Sequence, residues 1–89
     1  MISQEFTLDH IRETLRQCAG EPEHLPLDGE IAERTFEEIG YDSLARLEVC
    51  GRIEREYGVR LDTELLSGTS TPADLIAAVN GQLAERLAA

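Results

Sequence analysis

Few residues of this 89-residue chain could do chemistry by their type. They are two histidines, His10 and His24, two cysteines, Cys18 and Cys50, and a serine in the run Gly40-Tyr41-Asp42-Ser43-Leu44. A nucleophilic serine needs a base and an oxyanion hole. Nothing in the local sequence orients either histidine towards Ser43, and the GxSxG elbow is absent because Asp42 and Leu44 flank the serine. A domain of this size is expected to lack room for a substrate cleft of about 300 Å3. No CxxC pair or Cys/His cluster offers a metal site. Two readings of Ser43 stand at this level. In the plainer one, Asp-Ser before an apolar run simply starts a helix, with Asp as the cap. In the other, the hydroxyl is modified. The first turn of a helix presents free N–H groups and the positive end of its dipole, which suits a phosphodiester.

The elements that must hold Ser43 follow from spacing and caps. Leu8, Ile11, Leu15 and Cys18 recur at helical spacing, so a first helix is predicted over 8–18. Thr7 is its N-cap, Phe6 and Ile11 its hydrophobic staple, and Gly20 its stop. Residues 20–42 read as a long connection broken by Pro22, Pro26 and Gly29. Leu25, Leu27, Ile31, Phe36 and Ile39 are expected to pin it to the core. Thr35 and Glu38 are spaced as a capping box, which allows a short helical turn. A second helix is predicted from Ser43 to about Tyr57, capped by Asp42, with Val49, Cys50, Ile53 and Tyr57 facing the core and Gly58 ending it. Asp62 is expected to cap a single turn, Thr63 to Leu66, closed by Gly68. Thr71, Pro72 and Asp74 mark the start of a last helix whose stripe is Leu75, Ile76, Val79, Leu83 and Leu87. The fold class is therefore all-α: one domain, 1–89, built as a small helical bundle of three main helices plus a short one, with a long first loop.

Composition narrows the function classes. Hydrophobic residues are 42% and aromatics only 4%, with no Trp, so the core must be Leu, Ile, Val and Ala. Acids number 18 against 8 bases, all of them Arg, for a net charge of -10. The connection 20–42 alone holds eight acids and one base, Arg34. Nucleic acid and anionic membrane surfaces are disfavoured by that sign. A basic protein surface is the natural complement, although acid also serves plain solubility. The start MISQEFTLDHIRE has neither the basic start nor the apolar run of a secretory signal, and no stretch approaches the ~18 apolar residues of a membrane span. The reading is a cytoplasmic protein, with Cys18 and Cys50 as small buried hydrophobes and not a disulfide.

The blocks LRQCAGE (15–21), FEEIGYDSLARLEVCGRIEREYGVRL (36–61), TPADLI (71–76) and NGQLAE (80–85) together resemble the acyl carrier proteins, most closely the freestanding carriers of type II (aromatic) polyketide synthases. The resemblance covers nearly the whole chain, and the middle block is its specific part. It implies an acyl-carrier-like four-helix bundle. It implies that Ser43 bears 4'-phosphopantetheine through a phosphodiester, making a phosphoprotein whose arm ends in a thiol that holds malonyl units and the growing chain as thioesters. Asp42 matches the acid that aids recognition by the transferase, Leu44 the exposed leucine that partners touch, and Glu48 an acid on the partner-facing side. Such a chain is a carrier and not a catalyst. The implied partners are a phosphopantetheinyl transferase, a ketosynthase with its chain-length factor, a malonyl transferase, and a ketoreductase, cyclase or aromatase. The setting is antibiotic-type biosynthesis, and a monomer is the default.

Three features qualify the match. Arg46, Arg52 and Arg55 balance Glu48, Glu54 and Glu56, so the second helix is neutral. That weighs against a housekeeping fatty-acid carrier and shares docking with Leu47, the acidic loop, Asp62 and Glu64. Gly51, inside this helix, costs about 1 kcal/mol against Ala; it gives room for a docked surface, or it is tolerated on an exposed face. Asn80, beside Val79, is either a contact for a polar chain lying between helices or a solvated or capped amide near the helix end. A carrier for a fatty-acid or peptidyl pathway stays open, as does an acidic interaction module without a prosthetic group.

Overall fold

The computed structural model describes residues 5–88, with side chains described through residue 86. Four α-helices follow one another: α1 (Leu8–Ala19), α2 (Phe36–Ile39), α3 (Ser43–Tyr57) and α4 (Pro72–Ala88), with a 3-10 turn at Thr63–Leu66. Among the described residues there is no strand. α1 packs against α3 and α4. The core between them is Ile11, Leu15, Val49, Cys50, Ile53, Leu75, Val79 and Leu83, closed by Phe6, Leu27, Ile31, Phe36 and Ile39 from outside the three long helices.

The start signals read for the four α-helices are in place. Thr7 accepts from the His10 N–H, Thr35 from that of Glu38, Asp42 from that of Ala45 and Thr71 from that of Asp74. Each satisfies an amide that the helix leaves without a partner. Gly20, Gly40 and Gly58 carry positive φ where α1, α2 and α3 stop. The long connection is pinned as expected by Leu27, Ile31, Phe36 and Ile39, with Leu25 half-buried. It is also strapped to α1. Arg12 donates from Nε to the Leu27 carbonyl at 2.7 Å and from Nη2 to that of Gly29 at 3.1 Å. Arg16 meets Glu21 and Asp28.

Three expectations need correction. Asp62 sits at the head of the 3-10 turn but makes no capping bond, and the turn closes at Ser67, whose N–H reaches the Glu64 carbonyl. Gly68 serves a different end: a Cβ there would collide with the Glu37 side chain, while its carbonyl accepts from the Glu37 N–H. Cys18 is half-buried against the core, not fully buried, with its sulfur facing the Arg52 guanidinium; Cys50 is fully buried, and both thiols are free. The side chain of Leu87, the last residue of the predicted stripe, lies outside the described residues.

Candidate functional site

The site is the entry to α3, and it is built by the turn that precedes it. Gly40 has φ 113°, and a Cβ there would lie 2.8 Å from the amide nitrogens of Glu23 and His24. Those loop residues pack so close because the Ile39 carbonyl accepts from both the His24 and Leu25 N–H groups. Tyr41 follows, buried, with its hydroxyl donating to the Gly20 carbonyl at 2.9 Å. Burial pushes its phenol up to about 12. The expectation of a core made of Leu, Ile, Val and Ala is corrected here, because Tyr41 joins Phe6 and Phe36 in the core.

With Tyr41 anchored, Asp42 caps α3. Its Oδ1 accepts from the Ala45 N–H at 2.9 Å and its carbonyl from the Arg46 N–H. The next residue, Ser43, is exposed. Among the described residues neither its hydroxyl nor the N–H groups of Ser43 and Leu44 have a hydrogen-bond partner. The result is a free hydroxyl at the positive end of a 15-residue helix. A phosphodiester on Ser43 Oγ fits this arrangement. It needs an oxygen that no internal bond holds, open space, and unmatched N–H donors beside it.

Around Ser43 the expected docking residues are all exposed. Leu44 is 63% and Leu47 56% exposed, the large apolar side chains that α3 leaves outside the core. Glu48 shares their exposure. Asp62 and Glu64 are exposed and line a groove of about 410 Å3 with Leu65, Thr69, Ser70, Asp74 and Ala78. So the expectation that a chain this short has no room for a cleft is corrected. The groove is open, three of its walls are carboxylates, and Ser43 is not among its lining residues.

Other candidates fall elsewhere. His10 closes the capping box of α1, with Nδ1 on the Thr7 N–H. No hydrogen bond joins Ser43 to His10 or His24 among the described residues. The Cys50 thiol is pushed up to about 11 by burial, which makes it a poor nucleophile. No group of His, Cys, Asp and Glu among the described residues could hold a metal ion. Asn80 has a partner that spacing could not show. Its Oδ1 accepts from the Phe6 N–H at 2.8 Å, and its Nδ2 donates to the Phe6 carbonyl at 2.9 Å. The amide expected to be solvated or to meet a chain thus clamps the start of the fold to α4.

Residues 13–79 match the family model described as phosphopantetheine attachment site. The granaticin polyketide synthase acyl carrier protein of Streptomyces violaceoruber is 49% identical over 90% of this chain and 94% of its own. The actinorhodin polyketide synthase acyl carrier protein of Streptomyces coelicolor is 42% identical over 90% and 93%. Among solved structures, that of the 3,7-dioxo-octyl actinorhodin acyl carrier protein from Streptomyces coelicolor superposes with a TM-score of 0.81 at 38% identity, covering 96% of this chain and 99% of the other.

Proposed function

Because the chain belongs to the phosphopantetheine-attachment family, among the acyl carrier proteins of polyketide synthases, we propose that Ser43 is where its 4'-phosphopantetheine arm is joined. The observation that carries this is the free, exposed Ser43 hydroxyl at the first position of α3, inside the matched region. When bound, the arm supplies a thiol that holds acyl units as thioesters.

The residues of the chain do the rest. Ser43 Oγ bonds to the phosphorus of coenzyme A that carries the pantetheine as the pyrophosphate P–O bond breaks and adenosine 3',5'-bisphosphate leaves, and the serine proton passes to a base on the transferase. The amides of Ser43 and Leu44 face the resulting anion, and Asp42 keeps them there by capping at Ala45 instead of competing for them. Leu44 and Leu47 offer apolar contact to partner enzymes, and Glu48, Asp62 and Glu64 offer charge to a basic surface. Weak, steered docking of this kind lets one carrier visit several enzymes in turn.

In this reading the chain is a non-catalytic, monomeric carrier in the cytoplasm, where free thiols such as Cys18 and Cys50 persist. It serves a transferase, a malonyl transferase, a ketosynthase with its chain-length factor, and a ketoreductase, cyclase or aromatase. Carriage of poly-β-keto chains rests on the polyketide relatives.

The test is intact mass after incubation with coenzyme A and a broad-specificity phosphopantetheinyl transferase, with Ser43→Ala alongside. One added arm on the wild type and none on the variant is the expected result. An arm on Ser43→Ala, or none on the wild type where a known carrier is loaded, overturns the assignment.

A further inference from the structure

Arg46 stands three residues beyond Ser43, at a spacing that puts side chains on neighbouring parts of one helix face. Its guanidinium is half-buried and donates in two directions. Nε reaches the Leu66 carbonyl at 2.8 Å, and Nη1 reaches the Tyr41 carbonyl at 2.9 Å. Leu66 ends the 3-10 turn that carries Glu64 and follows Asp62. Tyr41 immediately precedes the α3 cap. One planar group therefore ties the entry of α3 to the acidic turn beside it.

Apolar packing holds the turn only in part. Leu65 and Leu66 are half-buried against the core, none of its four residues is fully buried, Asp62 supplies no capping bond, and just ahead of the turn the Leu61 N–H donates to Glu54 Oε2 at 2.8 Å. The Ser70 hydroxyl donates to the Leu65 and Ser67 carbonyls, which closes the segment on itself. The carbonyls of Gly68 and Ser70 are tied to the amides of Glu37 and Phe36 at α2. Among the described residues, the bond from Arg46 to Leu66 is the one hydrogen bond between residues 63–66 and α3.

We propose that Arg46 is a positioning residue for arm transfer: it holds the acidic turn in one place relative to Ser43, so that the transferase meets Ser43, Leu44, Asp62 and Glu64 as a single preset surface. The proposal rests on the assignment of the arm to Ser43. A docking surface made of two independently mobile pieces must be ordered on binding, which weakens binding and leaves the chemical step alone. Loss of the strut thus raises KM and spares kcat. The fork matters beyond the charge, because a guanidinium holds two acceptors in fixed directions and an ammonium does not.

Loading of the apo-protein by a phosphopantetheinyl transferase with coenzyme A, in wild type, Arg46→Met and Arg46→Lys, tests this. In Arg46→Met the carrier KM rises about tenfold with kcat held within about twofold, and Arg46→Lys shows a smaller rise. Amide exchange at Leu65 and Ser67 speeds up in step, while α1 and α4 keep their protection. Faster exchange at an unchanged KM makes the strut purely structural and overturns the proposal. A raised KM with unchanged exchange makes Arg46 a direct contact of the enzyme, and a wild-type KM in Arg46→Lys makes charge the whole effect; either also overturns it. If Arg46→Met does not fold, Arg46→Lys carries the same two readouts. A wild type that takes no arm strikes the Ser43 assignment instead, so the two failures are distinguishable.

Discussion

Asn80 holds the backbone of Phe6 by both its N–H and its carbonyl, and the Phe6 ring it thereby places is 1% exposed, edge-on to Tyr57 at 5.1 Å. Asn80→Ala leaves both half-buried groups unmatched, so it is expected to cost about 1–3 kcal/mol in urea unfolding. Asn80→Asp recovers little, because it keeps the acceptor for the Phe6 N–H but turns a second carboxylate oxygen on the Phe6 carbonyl. Gly51 is the opposite case. A Cβ there would meet only Arg55 Nη1, at an ordinary 3.5 Å. Packing within the fold does not require the glycine, so Gly51→Ala should stabilise α3 by about 0.5–1 kcal/mol. A higher Tm with unchanged loading makes Gly51 a tolerated surface residue. A higher Tm with slower transfer to a partner enzyme shows that the bare backbone is part of the docking face.

At the scale of elements, the long first connection shows what a sequence does and does not disclose. Helix caps were legible: Thr7, Thr35, Asp42 and Thr71 each act on an amide three positions away, so the signal and its target lie in one short window. The apolar stripes were legible for the same reason of periodicity, and so was Ser43 as the first residue of α3. The arginine strap was not. Arg12 bonds the carbonyls of Leu27 and Gly29, Arg46 those of Tyr41 and Leu66, and Arg86 that of Tyr57. Every residue has a carbonyl, so nothing in the letters marks which one an arginine will choose 15 or 20 residues away. The Tyr41 hydroxyl on Gly20 was hidden in the same manner. The strap carries its own prediction. Arg12→Met keeps the stem that packs on the loop but leaves two half-buried carbonyls unmatched, at about 1–3 kcal/mol. Protease cleavage within residues 20–35 should then accelerate while α3 keeps its amide protection.

For the molecule as a whole, the arginines serve structure first, and this leaves the negative charge facing water. Arg12, Arg16, Arg34 and Arg52 are paired with carboxylates, and Arg46 and Arg86 lie on carbonyls. Two consequences follow. At high pH, burial holds the Cys50 thiol up to about 11 and the Tyr41 phenol up to about 12, from ordinary values of 9.0 and 10.0. Below pH ~9 both are protonated, folded or unfolded, and make no difference. Above it the unfolded chain releases protons that the fold retains, so stability is full below pH ~9 and falls as pH rises towards 12. Cys50→Val should move the onset towards pH 10 in pH-dependent urea melts. Salt acts on the net charge of -10. The ion pairs that salt weakens lie at the surface, where water and salt screen them, and contribute little. Repulsion among the unpaired acids, by contrast, sums over the whole surface and is screened within a Debye length of about 10 Å at 0.1 M. Screening of repulsion wins, so Tm rises with added sodium chloride. The same screening weakens attraction to a basic enzyme, so the carrier KM for arm loading rises over the same range. A Tm that rises while KM stays flat would place docking on Leu44 and Leu47 alone and remove the carboxylates of Glu48, Asp62 and Glu64 from it.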